Sequence, residues 1–333
     1  MRKLRFGILG AAKIAREKVI PPMRRAARCE VVAIASRDPA RARAEASRLG
    51  IDRAHGSYEA LLADPEVDVV YIPLPNHLHL PWSIRAAEAG KHVLCEKPIG
   101  LDADEAAKLV KARDRTGVRI QEAFMVRTHP QWLRARELVR SGRLGELKAI
   151  HGHFSYHLTD PANVRNVAAW GGGGLLDIGC YPITTSRFVT GREPARVAAL
   201  IERDPSTGID RLGTVMLDYG DVQCAFAYGT QLVPRQTMQF LGTKARLEVE
   251  VPFNAPNDRP CRLFLYDGPG LGLEVGETIE LPVCDQYGVM ADAFAASIQD
   301  GTPQPVPLED SLANMRVIDA AFRAAERGGW EVP

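Results

Sequence analysis

Several features that would mark other classes of protein are scarce in this chain of 333 residues. The 42 Lys and Arg residues nearly balance the 41 Asp and Glu residues, so the formal net charge is only +1. This balance provides no basic field of the kind that binds nucleic acid. No apolar run is long enough to span a membrane, and the amino terminus leads straight into a strand-like pattern, which argues against a signal peptide.

Cysteine is also scarce and widely dispersed. The six cysteines include no C-x-x-C pair, which is typical of reduced, buried thiols and not of a disulfide framework. We therefore expect a cytoplasmic protein that binds neither nucleic acid nor a membrane. The length is too great for one ordinary core and predicts two domains.

The first third of the chain alternates apolar runs with amphipathic segments. Strands are predicted at Leu4–Leu9 and at residues 30–36, 67–72 and 91–96, and helices at residues 14–27 and at Pro39–Leu49. The strands are almost continuously apolar, as a parallel sheet covered on both faces requires. The pattern predicts a doubly wound, Rossmann-type α/β domain over residues 1–121.

The pattern changes after about Gln121. A helix is predicted at residues 130–141, and beyond it apolar and polar residues alternate with a period of two. This alternation is typical of an antiparallel or mixed sheet with helices on one face. We predict a second α/β domain over residues 122–333, whose final helix, Leu308–Arg327, is a candidate to pack back on the first domain.

A glycine-containing turn follows the first predicted strand. Gly10, Ala11, Ala12, Lys13 and Ile14 stand where a helix N-terminus offers free backbone N–H groups to a dinucleotide pyrophosphate. The usual fingerprint is G-x-G-x-x-G/A, and Ala12 replaces its middle glycine. The place of the turn in the strand–helix repeat therefore carries more weight than the motif itself.

The end of the second predicted strand distinguishes the two nicotinamide dinucleotides. A free ribose 2′-hydroxyl is bound by an acidic residue there, whereas Ser36, Arg37 and Arg41 suit a 2′-phosphate, since guanidinium groups bind phosphate oxygens bidentately. Asp38 and Pro39 are instead predicted to be the N-cap and first residue of the next helix. The alternative is that the two arginines only decorate a surface helix.

Motifs spread along the chain resemble those of the glucose-fructose oxidoreductase, inositol dehydrogenase and rhizopine catabolism family. They are residues 7–15, residues 73–79, Glu96-Lys97-Pro98, residues 122–125 with Arg127, His129-Pro130, residues 172–181, and Asp285-Gln286-Tyr287. The resemblance implies an N-terminal Rossmann domain and a C-terminal α/β domain. It also implies that the large, open, mostly antiparallel sheet of the second domain joins copies into a homodimer or homotetramer.

The resemblance also assigns roles to individual residues. It implies that Lys97 binds the substrate hydroxyl, and that Tyr181 is the acid–base where many relatives have histidine. A tyrosine there is similar to the branch with dihydrodiol dehydrogenases, NADP-dependent xylose dehydrogenases and deoxysugar ketoreductases, which tends to prefer NADP. The expected cofactor-binding residues are Gly10, Ala11, Ala12, Lys13, Ile14, Ser36, Arg37, Arg41, Pro73, Leu74, Asn76, His79, Glu96, Lys97, Glu122, Arg127, Arg165 and Tyr287.

We therefore predict an NADP(H)-dependent oxidoreductase that transfers a hydride between the nicotinamide and a C–OH or C=O group of a sugar or polyol. The ordinary pKa of tyrosine, about 10, is high for proton transfer at neutral pH, and an ammonium such as that of Lys97 would lower it. Asp177 precedes Tyr181 by one helical turn and is assigned substrate hydrogen bonding or electrostatic support. Tyr287 is predicted to close over the cofactor from the second domain.

Three other interpretations stay open at this point. The first is a reductase of keto-sugars, including nucleotide-linked deoxysugars, because both directions of the reaction use the same residues. The second is an NADP-binding regulatory protein without turnover. The third is a glucose-fructose oxidoreductase proper, an exported enzyme that holds its cofactor tightly, and the missing signal peptide and N-terminal arm count against it. His151, His153 and His157 share a strand face by parity, but no acidic residue clusters with them, so a half-exposed strand is favoured and no metal is predicted. Specificity is expected to depend on the second domain's sheet and on residues 156–170.

Overall fold

A computed structural model describes residues 2–268 and 276–333 of the chain. The chain divides into two compact units, and each unit combines two segments. The first unit is Met1–Met125 with Asp285–Leu312, and the second is Val126–Cys284 with Ala313–Pro333.

This division differs from the predicted single boundary after residue 121. Residues 285–312 return to the first unit, where the Asp292 carboxylate accepts hydrogen bonds from the backbone N–H groups of Ala27 and Arg28 at 2.9 and 2.8 Å. The predicted final helix begins and ends as expected, at Leu308 and Arg327. Its first residues belong to the first unit and its remainder to the second.

The first unit contains a six-stranded, fully parallel sheet in the order β3-β2-β1-β4-β5-β6. Its strands are β1 Leu4–Leu9, β2 Cys29–Ala35, β3 Arg53–His55, β4 Val69–Ile72, β5 His92–Cys95 and β6 Ile120–Glu122. All four side chains of β4 are buried, as expected for a central strand covered on both faces. The predicted doubly wound sheet is confirmed, although β3 and β6 are too short to show a periodic pattern.

In the first unit most helices separate consecutive strands along the chain, and in the second unit helices lie beside the sheet. In chain order they are α1 Ile20–Arg25, α2 Pro39–Leu49, α3 Tyr58–Leu62, α4 His79–Glu88, α5 Ala103–Thr116, α6 Pro130–Arg140, α7 Cys180–Thr190, α8 Gln286–Asp300 and α9 Leu308–Arg327. Asp38 is the N-cap of α2 and Pro39 its first residue, as predicted. Throughout the described ranges, every helix is either too short or too polar to cross a bilayer.

The second unit contains an eight-stranded sheet in the order β14-β13-β12-β11-β7-β10-β9-β8. Its strands are β7 Leu147–His157, β8 Arg196–Arg203, β9 Asp210–Asp218, β10 Gln223–Gly229, β11 Gln231–Gly242, β12 Arg246–Val249, β13 Cys261–Tyr266 and β14 Glu277–Leu281. β7 and β10 run parallel, and the other neighbouring strands are antiparallel. Helices α6 and α7 pack on one face, so the predicted open, mostly antiparallel sheet is confirmed.

Candidate functional site

The turn after β1 is shaped for close approach of another backbone or of a ligand. Gly10 has a φ of 110°, and a Cβ atom added there would lie 2.8 Å from the Leu74 side chain. Only glycine satisfies both conditions. The N–H groups that open the following helix, from Ala11 onward, have no acceptor within that helix, and they lie at its positive end. This cradle fits a dinucleotide pyrophosphate.

The residues predicted to bind a 2′-phosphate lie around this same turn. Arg41 donates from Nη2 to the Ala11 carbonyl at 3.2 Å, and Arg37 lies close enough to Tyr58 to interact with its hydroxyl. Burial raises the pKa of Tyr58, and the positive charges of the two arginines oppose that rise. Ser36 is buried, and its Oγ accepts from the N–H of Asp38 at 3.2 Å.

Tyr58 was not predicted as a site residue. Its ring packs edge-to-face on Trp82 with the centroids 4.9 Å apart, and its hydroxyl oxygen lies 3.5 Å from the position of a Cβ atom at Gly10. The sequence gives no signal for this placement, because Tyr58 reaches the turn from the short helix α3.

The turn that carries Lys97 is held by buried side chains. The peptide bond between Lys97 and Pro98 is cis. Glu122 is buried, and its Oε1 accepts from the N–H of Ile99 at 2.9 Å. Glu122 was predicted to bind the cofactor, and the structure gives its carboxylate a supporting role in the turn.

His79 packs against the turn that carries Lys97. Its ring has no exposed surface, and its Nδ1 and Nε2 each lie 2.7 Å from a backbone carbonyl, those of Pro98 and Leu74. Burial lowers the pKa of His79 to about 4, an effect that the two carbonyls oppose and the charges of Lys97 and His77 reinforce. The neutral ring present at pH 7 donates to one of the carbonyls. This geometry fits a support of the two turns and not the predicted contact with the cofactor.

Glu96 and Tyr287, two more predicted cofactor residues, lie in the first unit close to each other. The hydroxyl of Tyr71 donates to Glu96 Oε1 at 2.6 Å, and both groups are buried. Burial, then the charge of Glu96, raises the pKa of Tyr287. Tyr287 was expected to act from the second domain, and this expectation is corrected, because Asp285–Leu312 belongs to the first unit.

The other predicted residues of the first unit surround these turns. Pro73 and Leu74 are buried between β4 and α4, and Asn76 is half-buried beside them. Lys13 is exposed, with its Nζ 4.0 Å from Glu17, and Ile14 opens the first helix.

The second unit has its own turn, a run of glycines at residues 171–174 that leads into a helix. Leu175–Gly179 winds as a π-helical segment and continues into α7. The helix after Gly10 also begins with a π-helical segment, Ala15–Val19. Such segments are rare in proteins, and those that occur are often found at functional sites. Asp177 and Tyr181 both lie on this helical stretch, as the predicted spacing required.

Asp177 is the centre of a polar cluster within the second unit. Its Oδ2 accepts from the Tyr156 hydroxyl at 2.6 Å and from Arg165 Nε at 2.8 Å. The charge of Asp177 raises the pKa of Arg165, and the Arg165 guanidinium also interacts electrostatically with Tyr181. Burial, then Asp177, raises the pKa of Tyr156. Arg165 was predicted to bind the cofactor, and the structure places it in this cluster.

Tyr156 was not singled out by sequence reasoning beyond its place at the start of residues 156–170. It is half-buried on β7. The alternation along that strand is a weak signal, because it gives the face of a side chain and not its partner 21 positions away.

Tyr181 is buried among aromatic rings. Its centroid lies 5.7 Å from that of Phe154 and 5.4 Å from that of Phe253. Arg127, another predicted cofactor residue, is buried elsewhere in this unit, with Nη1 3.4 Å from Thr184 Oγ1 and its guanidinium over the ring of Phe188. The structure therefore places Arg127 beside α7.

The three histidines of β7 remain apart from any such cluster. His153 Nε2 lies 2.9 Å from Ser155 Oγ, and His151 and His157 are exposed. Within residues 2–268 and 276–333, no three His, Cys, Asp or Glu side chains are grouped so that they could hold a metal ion.

Comparison with known proteins gives matches along most of the chain. Residues 4–124 match the model of an oxidoreductase family with an NAD-binding Rossmann fold, and residues 132–248 match that of the GFO/IDH/MocA C-terminal domain. A D-xylose 1-dehydrogenase (NADP(+)) of Haloferax volcanii is 40% identical, with 97% of this chain and 98% of the relative covered.

Two further matches are to reductases. A dTDP-3,4-didehydro-2,6-dideoxy-alpha-D-glucose 3-reductase of Saccharopolyspora spinosa is 35% identical over 91% of this chain and 90% of the relative. The crystal structure of a 3-ketoreductase from Actinomadura kijaniata, in complex with NADP and TDP-benzene, is similar with a TM-score of 0.88. That match has 31% identity and covers 97% of this chain and 98% of the other.

Proposed function

Because the chain belongs to the GFO/IDH/MocA oxidoreductase family, with its NAD-binding Rossmann fold, we propose that it interconverts a C–OH and a C=O group of a sugar or polyol with NADP(H). The family predicted from the motifs is thereby confirmed. The observation that carries the catalytic proposal is the cluster of Tyr181 with Arg165 and Asp177. When bound, the nicotinamide ring supplies the chemistry of hydride transfer.

NADP(H) is favoured over NAD(H) by the residues around the turn after β1. Arg37 and Arg41 lie beside Tyr58 and Ala11, where their guanidinium groups can bind a 2′-phosphate together with the Ser36 hydroxyl. The related xylose dehydrogenase carries NADP(+) in its name, and the related 3-ketoreductase was solved with NADP.

Tyr181 is the proposed acid–base. In oxidation its phenolate accepts the proton of the substrate hydroxyl, and in reduction its phenol returns a proton to the carbonyl oxygen. The positive charge of Arg165 favours the phenolate form, since an opposite charge nearby stabilises the ionised state. Asp177 fixes the guanidinium by accepting from its Nε at 2.8 Å.

Lys97 is proposed to bind the same substrate oxygen and to add positive charge to it. This role rests on the family motif Glu96-Lys97-Pro98. The buried hydrogen bonds of His79 and Glu122 give the motif a rigid backbone, because they hold the residues that follow Lys97.

A panel of aldoses and keto-sugars, assayed with NADP and NADPH at two pH values, tests the proposal and its direction. Oxidation of aldoses would favour a dehydrogenase like the 40% identical relative. Reduction of keto-sugars, nucleotide-linked ones included, would favour the second candidate, which the 3-ketoreductase match supports. Tight NADP binding without turnover of any sugar would instead indicate a regulatory protein.

We also propose that the open face of the eight-stranded sheet joins two copies of the chain. Burial alternates along β9 and β10, and the exposed face includes Leu200 at 78% and Met216 at 45% exposure. An antiparallel sheet with one uncovered apolar face is stabilised by a second layer. The double variant Leu200→Asp with Met216→Asp should be monomeric by analytical ultracentrifugation. An unchanged mass would contradict the proposal.

A further inference from the structure

The glycine run before Tyr181 is closely covered by two side chains that arrive from later strands. A Cβ atom added to Gly173, whose φ is 126°, would overlap Asp210 Oδ1. A Cβ atom added to Gly174 would lie 2.7 Å from the ring of Tyr228, and one added to Gly179 would lie 3.1 Å from it. The glycines therefore leave room for Asp210 and Tyr228.

Asp210 forms the hydrogen bonds that start the helical stretch. It is the first residue of β9 and is only 2% exposed. Its Oδ2 accepts from the backbone N–H of Leu175 at 2.6 Å and from the hydroxyl of Tyr228 at 2.8 Å. The N–H of Leu175 lies at the positive end of the helix, where a carboxylate is stabilising.

Tyr228 extends this contact along the helical stretch. Its ring has no exposed surface and lies against Gly174 and Gly179, at the two ends of the π-helical segment. The N–H of Asp177 donates to the Gly173 carbonyl at 3.2 Å, so the turn and the segment are joined by the backbone as well.

We propose that Asp210 is a positioning residue, which fixes the glycine turn and thereby the orientation of Asp177 and Tyr181. This role rests on the proposed function, in which those two side chains meet the substrate. Asp177 and Tyr181 follow Leu175 by two and six positions, so a shift at Leu175 moves both. Small misplacements of catalytic groups are costly, since about 1 Å can lower a rate on the order of 100-fold.

Charged and titratable side chains of neighbouring strands interact with Asp210. Tyr228 donates to it, Arg203 favours its ionised form, and its charge raises the pKa of Tyr156. Asp210 thus interacts electrostatically with Tyr156, which donates to Asp177, in addition to its hydrogen bond with the backbone of Leu175.

The test compares Asp210→Asn, Asp210→Ala and Tyr228→Phe in the full chain. We expect kcat to fall on the order of 10- to 100-fold in Asp210→Ala, with the pH limb of Tyr181 displaced and NADPH affinity nearly unchanged. Asparagine keeps one acceptor for the Leu175 N–H and should rescue part of the rate. Asp204→Asn is the matched control, because Asp204 caps a neighbouring turn at Ser206 and not the helix.

A second measurement separates positioning from catalysis. Amide hydrogen exchange of residues 175–181 should accelerate in Asp210→Ala and stay at the wild-type rate in the control. A lower melting temperature with unchanged kcat and unchanged exchange would overturn the proposal. If the wild type turns over no sugar, the proposed function fails, and the exchange experiment alone decides whether Asp210 fixes this segment.

Discussion

The two units hold their site turns with buried side chains of opposite hydrogen-bonding character. In the first unit, His79 faces the carbonyls of Leu74 and Pro98, which lie in turns that follow parallel strands. In the second, Asp210 faces the N–H of Leu175, which begins a helix. The carbonyls of Leu74 and Pro98 need a donor, whereas the beginning of a helix leaves N–H groups that need an acceptor.

Burial shifts the pKa values of His79 and Asp210 in opposite directions. It lowers the pKa of His79 to about 4 and raises that of Asp210 to about 6. At neutral pH the first turn is therefore held by a neutral group and the second by a buried negative charge. We therefore expect the two turns to respond differently to pH.

The largest expected effect tests whether Tyr181 and Lys97 act together in the proposed reaction. Tyr181→Phe should reduce kcat by about 10²–10⁴-fold with NADPH affinity preserved, because it removes the proposed acid–base. Lys97→Ala should lower activity and shift the remaining activity to higher pH, since in the proposed reaction its positive charge favours the phenolate. The double variant should be little worse than the poorer single variant.

Tyr219→Phe is the control for this series. Tyr219 is also buried in the second unit, and its hydroxyl lies 2.9 Å from Ser186 Oγ. Near-normal turnover by Tyr181→Phe would move the acid–base role elsewhere, with His157 the next candidate. If the fold-reduction in kcat of the double variant equalled the product of the two single reductions, Tyr181 and Lys97 would contribute independently.

The next effect is a change of about 3 kcal/mol in the free energy of unfolding, and it tests whether Asp210 and His79 respond to pH in opposite directions. The pKa of Asp210 rises from 3.8 to about 6 on folding, so the folded protein binds the extra proton in this window. Its contribution to the free energy of unfolding falls as pH rises from about 4 to 6. The pKa of His79 falls from 6.5 to about 4, so its contribution rises over the same window. Each is worth ~3 kcal/mol at ~1.4 kcal/mol per pKa unit.

Urea unfolding at pH 4, 5, 6 and 7 measures these contributions. Relative to the wild type, Asp210→Asn should become more stable as pH rises, and His79→Gln should become less stable. Asp204→Asn should follow the wild type above pH 4, because hydrogen bonds from Ser206 hold the pKa of Asp204 below its usual value. If the free energy of unfolding changed with pH in the same way for all four proteins, His79 and Asp210 would not respond to pH in opposite directions.

A smaller effect, confined to the first unit, is expected at the cofactor. Arg37→Ala should weaken NADP binding by roughly 1.5–3 kcal/mol, or about 10- to 100-fold, because a charged hydrogen bond is lost. NAD binding should be almost untouched, and kcat at saturating NADP should stay near the wild-type value. Fluorescence titration with both cofactors measures this, and Arg43→Ala, which removes an exposed arginine of α2, is the control. Equal losses for NADP and NAD would exclude Arg37 as a 2′-phosphate ligand.

Much of the fold could be predicted because it repeats local patterns. The central parallel strands are nearly all apolar, and the Asp38-Pro39 pair marks the start of α2 as expected. The short strands β3 and β6 could not be found, since three residues show no period. The return of residues 285–312 to the first unit depends on contacts such as Asp292 with Arg28, 264 positions apart, which no local pattern encodes.

The site was predictable to the extent that its motifs are contiguous. The glycine turns and the spacing of Asp177 and Tyr181 could be identified on that basis. The supporting residues Tyr58, Tyr156 and Asp210 could not, because each reaches its turn from another strand or helix. Asp210 is 35 positions from Leu175, and only the register of β9 beside the glycine turn brings them together.

The discontinuous first unit also has a consequence for the order in which the chain is made. Residues 126–284 leave the ribosome before residues 285–312, which complete the first unit. At about 5–20 residues per second, the delay is on the order of ten seconds. Throughout it, the N–H groups of Ala27 and Arg28 lack the carboxylate of Asp292 that accepts from them in the finished protein. The unit that begins the chain is thus among the last parts of it to be completed.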